Sequence, residues 1–100
     1  MKESMFQVSL IKDLKDHYPG CFVIKNDGSN VPQGFPDLTL FYKGRVIFLE
    51  CKREKNASRR PNQTYYVEYL NRTGFPAWFI FPENKEEIVN AIDLYFREET

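Results

Sequence analysis

One hundred residues make a single domain, 1–100, able to bury about two-thirds of its unfolded surface in a modest core. Fourteen basic against fourteen acidic residues leave no net charge, which excludes a protein that works only by coating nucleic acid, while 42% hydrophobic and 16% aromatic content suffices for a globular fold. Cys21 and Cys51 form neither a C-x-x-C pair nor a disulfide framework, no apolar run reaches membrane-spanning length, and M-K-E-S-M-F-Q has no apolar signal region, so a reducing, cytoplasmic setting away from membranes is expected.

Phe6, Leu10, Ile11 and Leu14 recur at helical spacing and predict a first helix from about Lys2 to Tyr18, stopped by Pro19-Gly20. Glu3 lies in its first turn, where a negative charge favours the helix start. Cys21 to Lys25 reads as a strand. Asn26 to Pro36, rich in Asn, Gly, Ser and Pro, is a long connection for so small a domain, and such loops often carry function. Gly34 and Pro36 shape the turn that delivers the chain into Asp37.

Two β-prone runs follow, Leu38 to Tyr42 and Val46 to Leu49, joined by Lys43-Gly44 in the pattern of a tight hairpin. If Tyr42 and Arg45 flank the turn as a cross-strand pair, pairs stepping back from it place Asp37 opposite Glu50. Their Cβ atoms would then stand roughly 4.5–5.5 Å apart on one face. Lys52, two residues beyond Glu50, points to that face as well. Facing carboxylates repel, and a divalent cation between them removes the conflict. Asp37, Glu50 and the backbone carbonyl of Cys51 make an all-oxygen set suited to Mg²⁺ or Mn²⁺. A lysine beside such an ion can orient or deprotonate water, the chemistry of metal-assisted phosphodiester hydrolysis. In isolation, Glu50 and Lys52 would read as an ordinary ion pair at a strand end; Asp37 in register changes that reading.

Lys52 to Arg60 holds five basic residues against one acidic. Arg53, Lys55, Arg59 and Arg60 are candidates for nucleic-acid backbone contact, although most such charge runs are solvated loops. Pro61 opens a second helix that Gly74 stops, with Gln63 in its first turn, free to contact phosphate or to hold Lys52. Tyr65, Tyr66 and Tyr69 are expected to pack rather than to stack on bases. Ala77 to Phe81 reads as a buried strand, parallel to its neighbour across the helix, and Lys85 to Arg97 as a last helix with Ile88, Val89, Ile92, Tyr95 and Phe96 on one side. The expected fold is α/β, in the order αβββαβα, with a mixed sheet built on a central β-hairpin.

Pro36-Asp37 followed by Glu50-Cys51-Lys52 resembles the PD-(D/E)XK nuclease motif. With Gly34 before it and Gln63-Thr-Tyr-Tyr66 after it, similar to a Gln-x-x-Tyr element of that superfamily, the pattern is most similar to the stand-alone VRR-NUC branch. The resemblance implies a restriction-endonuclease-like core and a Mg²⁺- or Mn²⁺-dependent, structure-specific DNA endonuclease acting on Holliday junctions or other branched DNA. It implies catalytic roles for Asp37, Glu50, Lys52 and Gln63, and products with 5′-phosphate ends. It also implies a homodimer, inside a bacterial or phage-infected host cell, and a first-helix Glu, here Glu3, that reaches the metal directly or through water. Two rivals are a restriction-type duplex endonuclease of the same superfamily, for which 100 residues leave little base-reading material, and a non-catalytic nucleic-acid- or partner-binding module.

Overall fold

A computed structural model describes residues 1–97. The elements are α1 (Glu3–His17), β1 (Phe22–Lys25), β2 (Leu38–Tyr42), β3 (Arg45–Cys51), α2 (Pro61–Arg72), β4 (Ala77–Ile80) and α3 (Lys85–Arg97), the order the sequence predicts. The four strands form one sheet in the order β1-β2-β3-β4. β1, β2 and β3 pair antiparallel and β3 pairs β4 in parallel, so the sheet is mixed and the hairpin lies at its centre. The parallel pair needs a crossover, and α2 supplies it. No helix among the described residues is long and apolar enough to cross a membrane.

The hairpin turn has Lys43 at φ 51° and Gly44 at φ 76°. Two central residues with positive φ match the right-handed twist of the strands they join. Tyr42 pairs with Arg45, and the register runs unbroken to Leu38 and Leu49. β3 extends to Cys51, beyond the apolar run that marked it in the sequence, because its ladder with β4 continues through Glu50–Phe79 and Cys51–Ile80.

Alternation along the strands divides the core. Leu38, Leu40, Ile47, Leu49, Cys51 and Ile80 pack against α1 through Phe6, Leu10 and Leu14, and against α3 through Ile88, Ile92 and Phe96. Each fully buried aliphatic side chain here contributes about 1.5–3 kcal/mol. On the opposite face a smaller cluster, Val67, Leu70 and Ala77 with Phe35, Phe48 and Phe79, seats α2. α2 ends as expected at Gly74 (φ 98°), where the Gly74 N–H donates to Asn71 O at 3.2 Å and the Phe75 N–H to Leu70 O at 2.8 Å, a Schellman closure. At the far end, Asp93 of α3 accepts from His17 Nε2 (3.0 Å) and from the Tyr18 hydroxyl (2.5 Å), tying α1 to α3.

The 26–36 connection is pinned rather than slack. The Asn26 N–H donates to Asp37 O at 2.7 Å, and Asn26 Nδ2 donates to Pro36 O at 3.0 Å and to Thr39 Oγ1 at 2.8 Å. Gly34, at φ 90°, lies against the start of α2, where an added Cβ would stand 2.9 Å from the Asn62 carbonyl carbon. Gly44 also has positive φ but faces open space. Gly44→Ala is therefore expected to lose about 1–2 kcal/mol, the cost of a left-handed non-glycine residue alone. Gly34→Ala is expected to lose that and a further ~1–3 kcal/mol of overpacking. Urea unfolding of the two variants measures the difference; equal losses would mean that the loop shifts off α2 at no cost.

Candidate active site

One step beyond the Leu38–Leu49 pair, the hairpin register brings Asp37 across from Glu50. The two carboxyls hydrogen-bond to each other. Glu50 is 2% exposed, within a strand rather than at a solvated strand end as the sequence suggested. Burial pushes its carboxyl up to about 8; the Asp37 charge adds to the rise and Lys52 opposes it. Burial also raises Asp37, against the pull of the Cys51 N–H, which donates to Asp37 Oδ2 at 2.8 Å.

Lys52 is 6% exposed, a buried cation that needs partners. Its Nζ donates to Gln63 Oε1 at 2.7 Å and to the Ser58 carbonyl at 2.9 Å. Gln63 Oε1 also accepts from the Arg60 N–H at 3.0 Å, and its Nε2 donates to Glu50 Oε2 at 3.1 Å. One amide thus holds the base candidate, one carboxylate and the helix start together. Pro61 occupies the first helical position, which fixes Gln63 in the turn from which its side chain reaches back. A cleft of about 230 Å³ opens over the dyad, lined by Asp37, Glu50, Gln63 and the 26–35 loop.

The other predicted residues fall into two groups. Cys51 joins Glu50 to Lys52 through the backbone its carbonyl belongs to, while its thiol points to the α1 side and is pushed up by burial. Glu3 is exposed at the start of α1; partial burial and then the Asp37 charge raise its carboxyl, and Lys52 and Arg53 lower it. Among the described residues, no group of three or more His, Cys, Asp or Glu side chains is assembled to hold an ion. The Arg59 guanidinium lies over the Phe79 ring at 4.2 Å, beside the strand position paired with Glu50, and Arg60 caps α2 next to the cleft. Arg53 instead faces Glu54 at 3.8 Å, and the Lys55 N–H donates to Glu83 Oε2 at 3.1 Å.

Two contributors escaped the sequence reading. Asn26 anchors the backbone of Asp37 from the other end of the loop, and its only sequence signal is an Asn at a strand exit. Ser58 acts through a main-chain carbonyl, which leaves no residue-type signal at all. Tyr65 and Tyr69 also differ from expectation. Tyr66 packs on Phe35, but Tyr65 (55%) and Tyr69 (42%) are exposed, because the helical period turns 66, 67 and 70 inward and 65 and 69 out.

The donor set fits a hard divalent cation: carboxylate oxygens from a buried Glu50 in β3 and a half-buried Asp37 just ahead of β2, with a like-charge conflict that a shared proton or a cation relieves. Comparison of the chain with protein-family models, with curated proteins and with solved structures finds no match in any of the three.

The elevated Glu50 carboxyl makes stability depend on pH in a definite direction. Between its ordinary 4.5 and about 8, the folded protein keeps a proton that the unfolded chain has lost. Stability in the presence of a chelator is therefore expected to fall as pH rises through that window and to level off above it. Glu50→Gln, which keeps the neutral form, is expected to flatten the fall. Urea midpoints from pH 5 to 9 check this; a wild-type curve that does not decline would contradict the buried like-charge pair.

Proposed function

We propose that this chain is a metal-dependent structure-specific DNA endonuclease with a restriction-endonuclease-like core of the PD-(D/E)XK, VRR-NUC type. The observation that carries the reading is the Asp37–Glu50 pair, with Glu50 buried and tied to Lys52 by a single glutamine. Asp37, Glu50 and the Cys51 carbonyl would hold Mg²⁺ or Mn²⁺, with Glu3 close enough to feel Asp37 and to contribute through water. When bound, the ion supplies Lewis-acid polarisation of the phosphate and a more acidic water.

The chain's own residues do the rest. The Lys52 ammonium directs a hydrogen bond at the attacking water as its oxygen closes on phosphorus, and the water's proton passes to solvent. The bond from phosphorus to the 3′ oxygen breaks, that oxygen takes a proton from solvent to become a 3′-hydroxyl, and the other end keeps a 5′-phosphate. Gln63 and the Ser58 carbonyl keep the amine from swinging out of line, and Gln63 keeps Glu50 facing Asp37. Arg59, over the Phe79 ring, and Arg60, in the wall of the neighbouring cavity, would meet the DNA backbone, with Arg53 and Lys55 as further candidates.

Asp37→Ala, Glu50→Ala and Lys52→Ala are expected to reduce cleavage of flap or junction DNA by about a hundredfold or more. Gln63→Ala, which misplaces rather than removes the reacting groups, is expected to lose about ten- to a hundredfold. Equal cleavage by wild type and the three alanine variants would trace the activity to a contaminant. Absence of both cleavage and Asp37-dependent Mg²⁺ uptake in calorimetry would favour the non-catalytic module.

The proposal includes a homodimer. Phe22 (63% exposed) stacks on its ladder partner Phe41 (43%), ring centroids 6.2 Å apart, beside Ile24 (37%), on the part of the sheet that α2 leaves uncovered. A two-fold pairing of this apolar patch would give one assembly two sites, as symmetric cleavage of a junction requires. Light scattering at micromolar concentration is expected to read twice the chain mass for wild type and the chain mass for Phe22→Asp/Phe41→Asp. A monomeric wild type would remove the dimer from the proposal.

A further inference from the structure

The cleft over the dyad is not closed on the α2 side. A second cavity of about 260 Å³, with Arg60, Pro61 and Asn62 in its wall, shares Gln33, Gly34 and Gln63 with it. Gly34 lines both and is packed against Asn62 so closely that a side chain there would not fit. From Asn62 the surface continues along α2. Asn62, Tyr65, Tyr69 and Arg72 are spaced three, four and three residues apart and so form one stripe.

Two features of that stripe point to an aromatic ligand of negative charge. The first is the pair of exposed tyrosines. Their ring planes lie within 16° of parallel, with centroids 6.2 Å apart. Tyr65 is braced from below: it meets Tyr66 edge-on at 5.1 Å, and Tyr66 meets Phe35 of the cluster beneath α2. Rigid rings offering π-faces in a common orientation suit successive bases, and such stacking tolerates any sequence. The second is charge. Arg60 stands where the stripe leaves the cavity, and the Arg72 guanidinium lies 5.9 Å from the Tyr69 ring at the far end. The acid of α2, Glu68, lies at the edge of the stripe.

We propose that an unpaired stretch of nucleic acid leaving the cut site passes over Gly34 and stacks its bases on Tyr65 and Tyr69, with Arg60 and Arg72 meeting its phosphates. The inference rests on the nuclease reading and adds what that reading lacks: it names single-stranded character next to the cut as the feature recognised. Duplex DNA presents no free base faces and gains nothing from the two tyrosines.

Fluorescence anisotropy in the presence of a chelator, with a labelled oligodeoxythymidine and a labelled blunt duplex, tests it without turnover. Tyr65→Ala/Tyr69→Ala is expected to weaken oligodeoxythymidine binding about tenfold or more and to leave duplex binding unchanged, with Tyr65→Phe/Tyr69→Phe close to wild type. Both positions are exposed on a helix, and thermal unfolding verifies that the variants fold. Unchanged single-strand affinity, or an equal loss on duplex, overturns the inference. So does a wild-type dimer in light scattering that dissociates in the alanine variant, which would make the stripe a contact between copies. The two readings fail separately. Cleavage that needs Asp37 but ignores the tyrosines removes the stacking surface alone; tyrosine-dependent binding without any cleavage removes the nuclease and keeps the surface.

Discussion

A pair of carboxyls that a two-residue turn forces together is the constraint around which this molecule is arranged. Lys43-Gly44 permits only one register of the hairpin it closes, and that register puts Asp37 across from Glu50. Burying two such groups side by side costs several kcal/mol unless hydrogen bonds and opposite charge offset it. The Cys51 N–H, the Gln63 amide and the Lys52 ammonium provide part of the offset, and a shared proton provides the rest. A protein with no use for a cation there could relieve the conflict with one Asn or Gln. That two acids stand there instead, Glu50 in β3 and Asp37 at the residue leading into β2, is the physical reason for reading them as ligands.

Gln63 makes the site inseparable from the fold. Its carbonyl oxygen serves two donors, the Lys52 amine and the Arg60 N–H, while its amino group reaches Glu50. The same side chain therefore caps a helix and sets the distance between a lysine and a carboxylate. Pro61 starts the helix at the right residue, and Gly34 lets the 26–36 loop lie close enough to wall the cleft. A change at either position would move Gln63 without touching it.

How much of this the sequence discloses depends on whether a feature is local. The turn, the register that follows from it and the first-turn position of Gln63 are all fixed by residues a few places apart, and they are legible. The end of β3 is not, because the charged Glu50 and Lys52 look like a strand terminus until β4 is known to pair alongside. The grip of Asn26 on Asp37 spans a loop, and the Ser58 carbonyl carries no side-chain signature. The basic run shows a similar limit. Composition puts Arg53, Lys55, Arg59 and Arg60 in one class, whereas the fold separates them: Arg60 lines the cavity next to the cleft, Arg59 lies over Phe79, and Arg53 faces Glu54.

The two faces of the sheet share the work unequally, and this bears on where the site is fragile. Ile47, Leu49 and Cys51 alternate into the large cluster with α1 and α3, whereas Phe48, Glu50 and Lys52 face α2. Chemistry at Glu50 and Lys52 can therefore change with little effect on the principal core. The helix that carries Gln63 is seated only by the smaller cluster of Val67, Leu70 and Ala77 with Phe35, Phe48 and Phe79. Phe35 belongs to the loop that walls the cleft, and Phe79 is the ring beneath Arg59. Loosening that minor cluster would leave a folded protein whose lysine, carboxylate and arginine no longer converge. The accuracy of the site thus rests on a few aromatic contacts, while the stability of the domain rests mainly on the other side of the sheet.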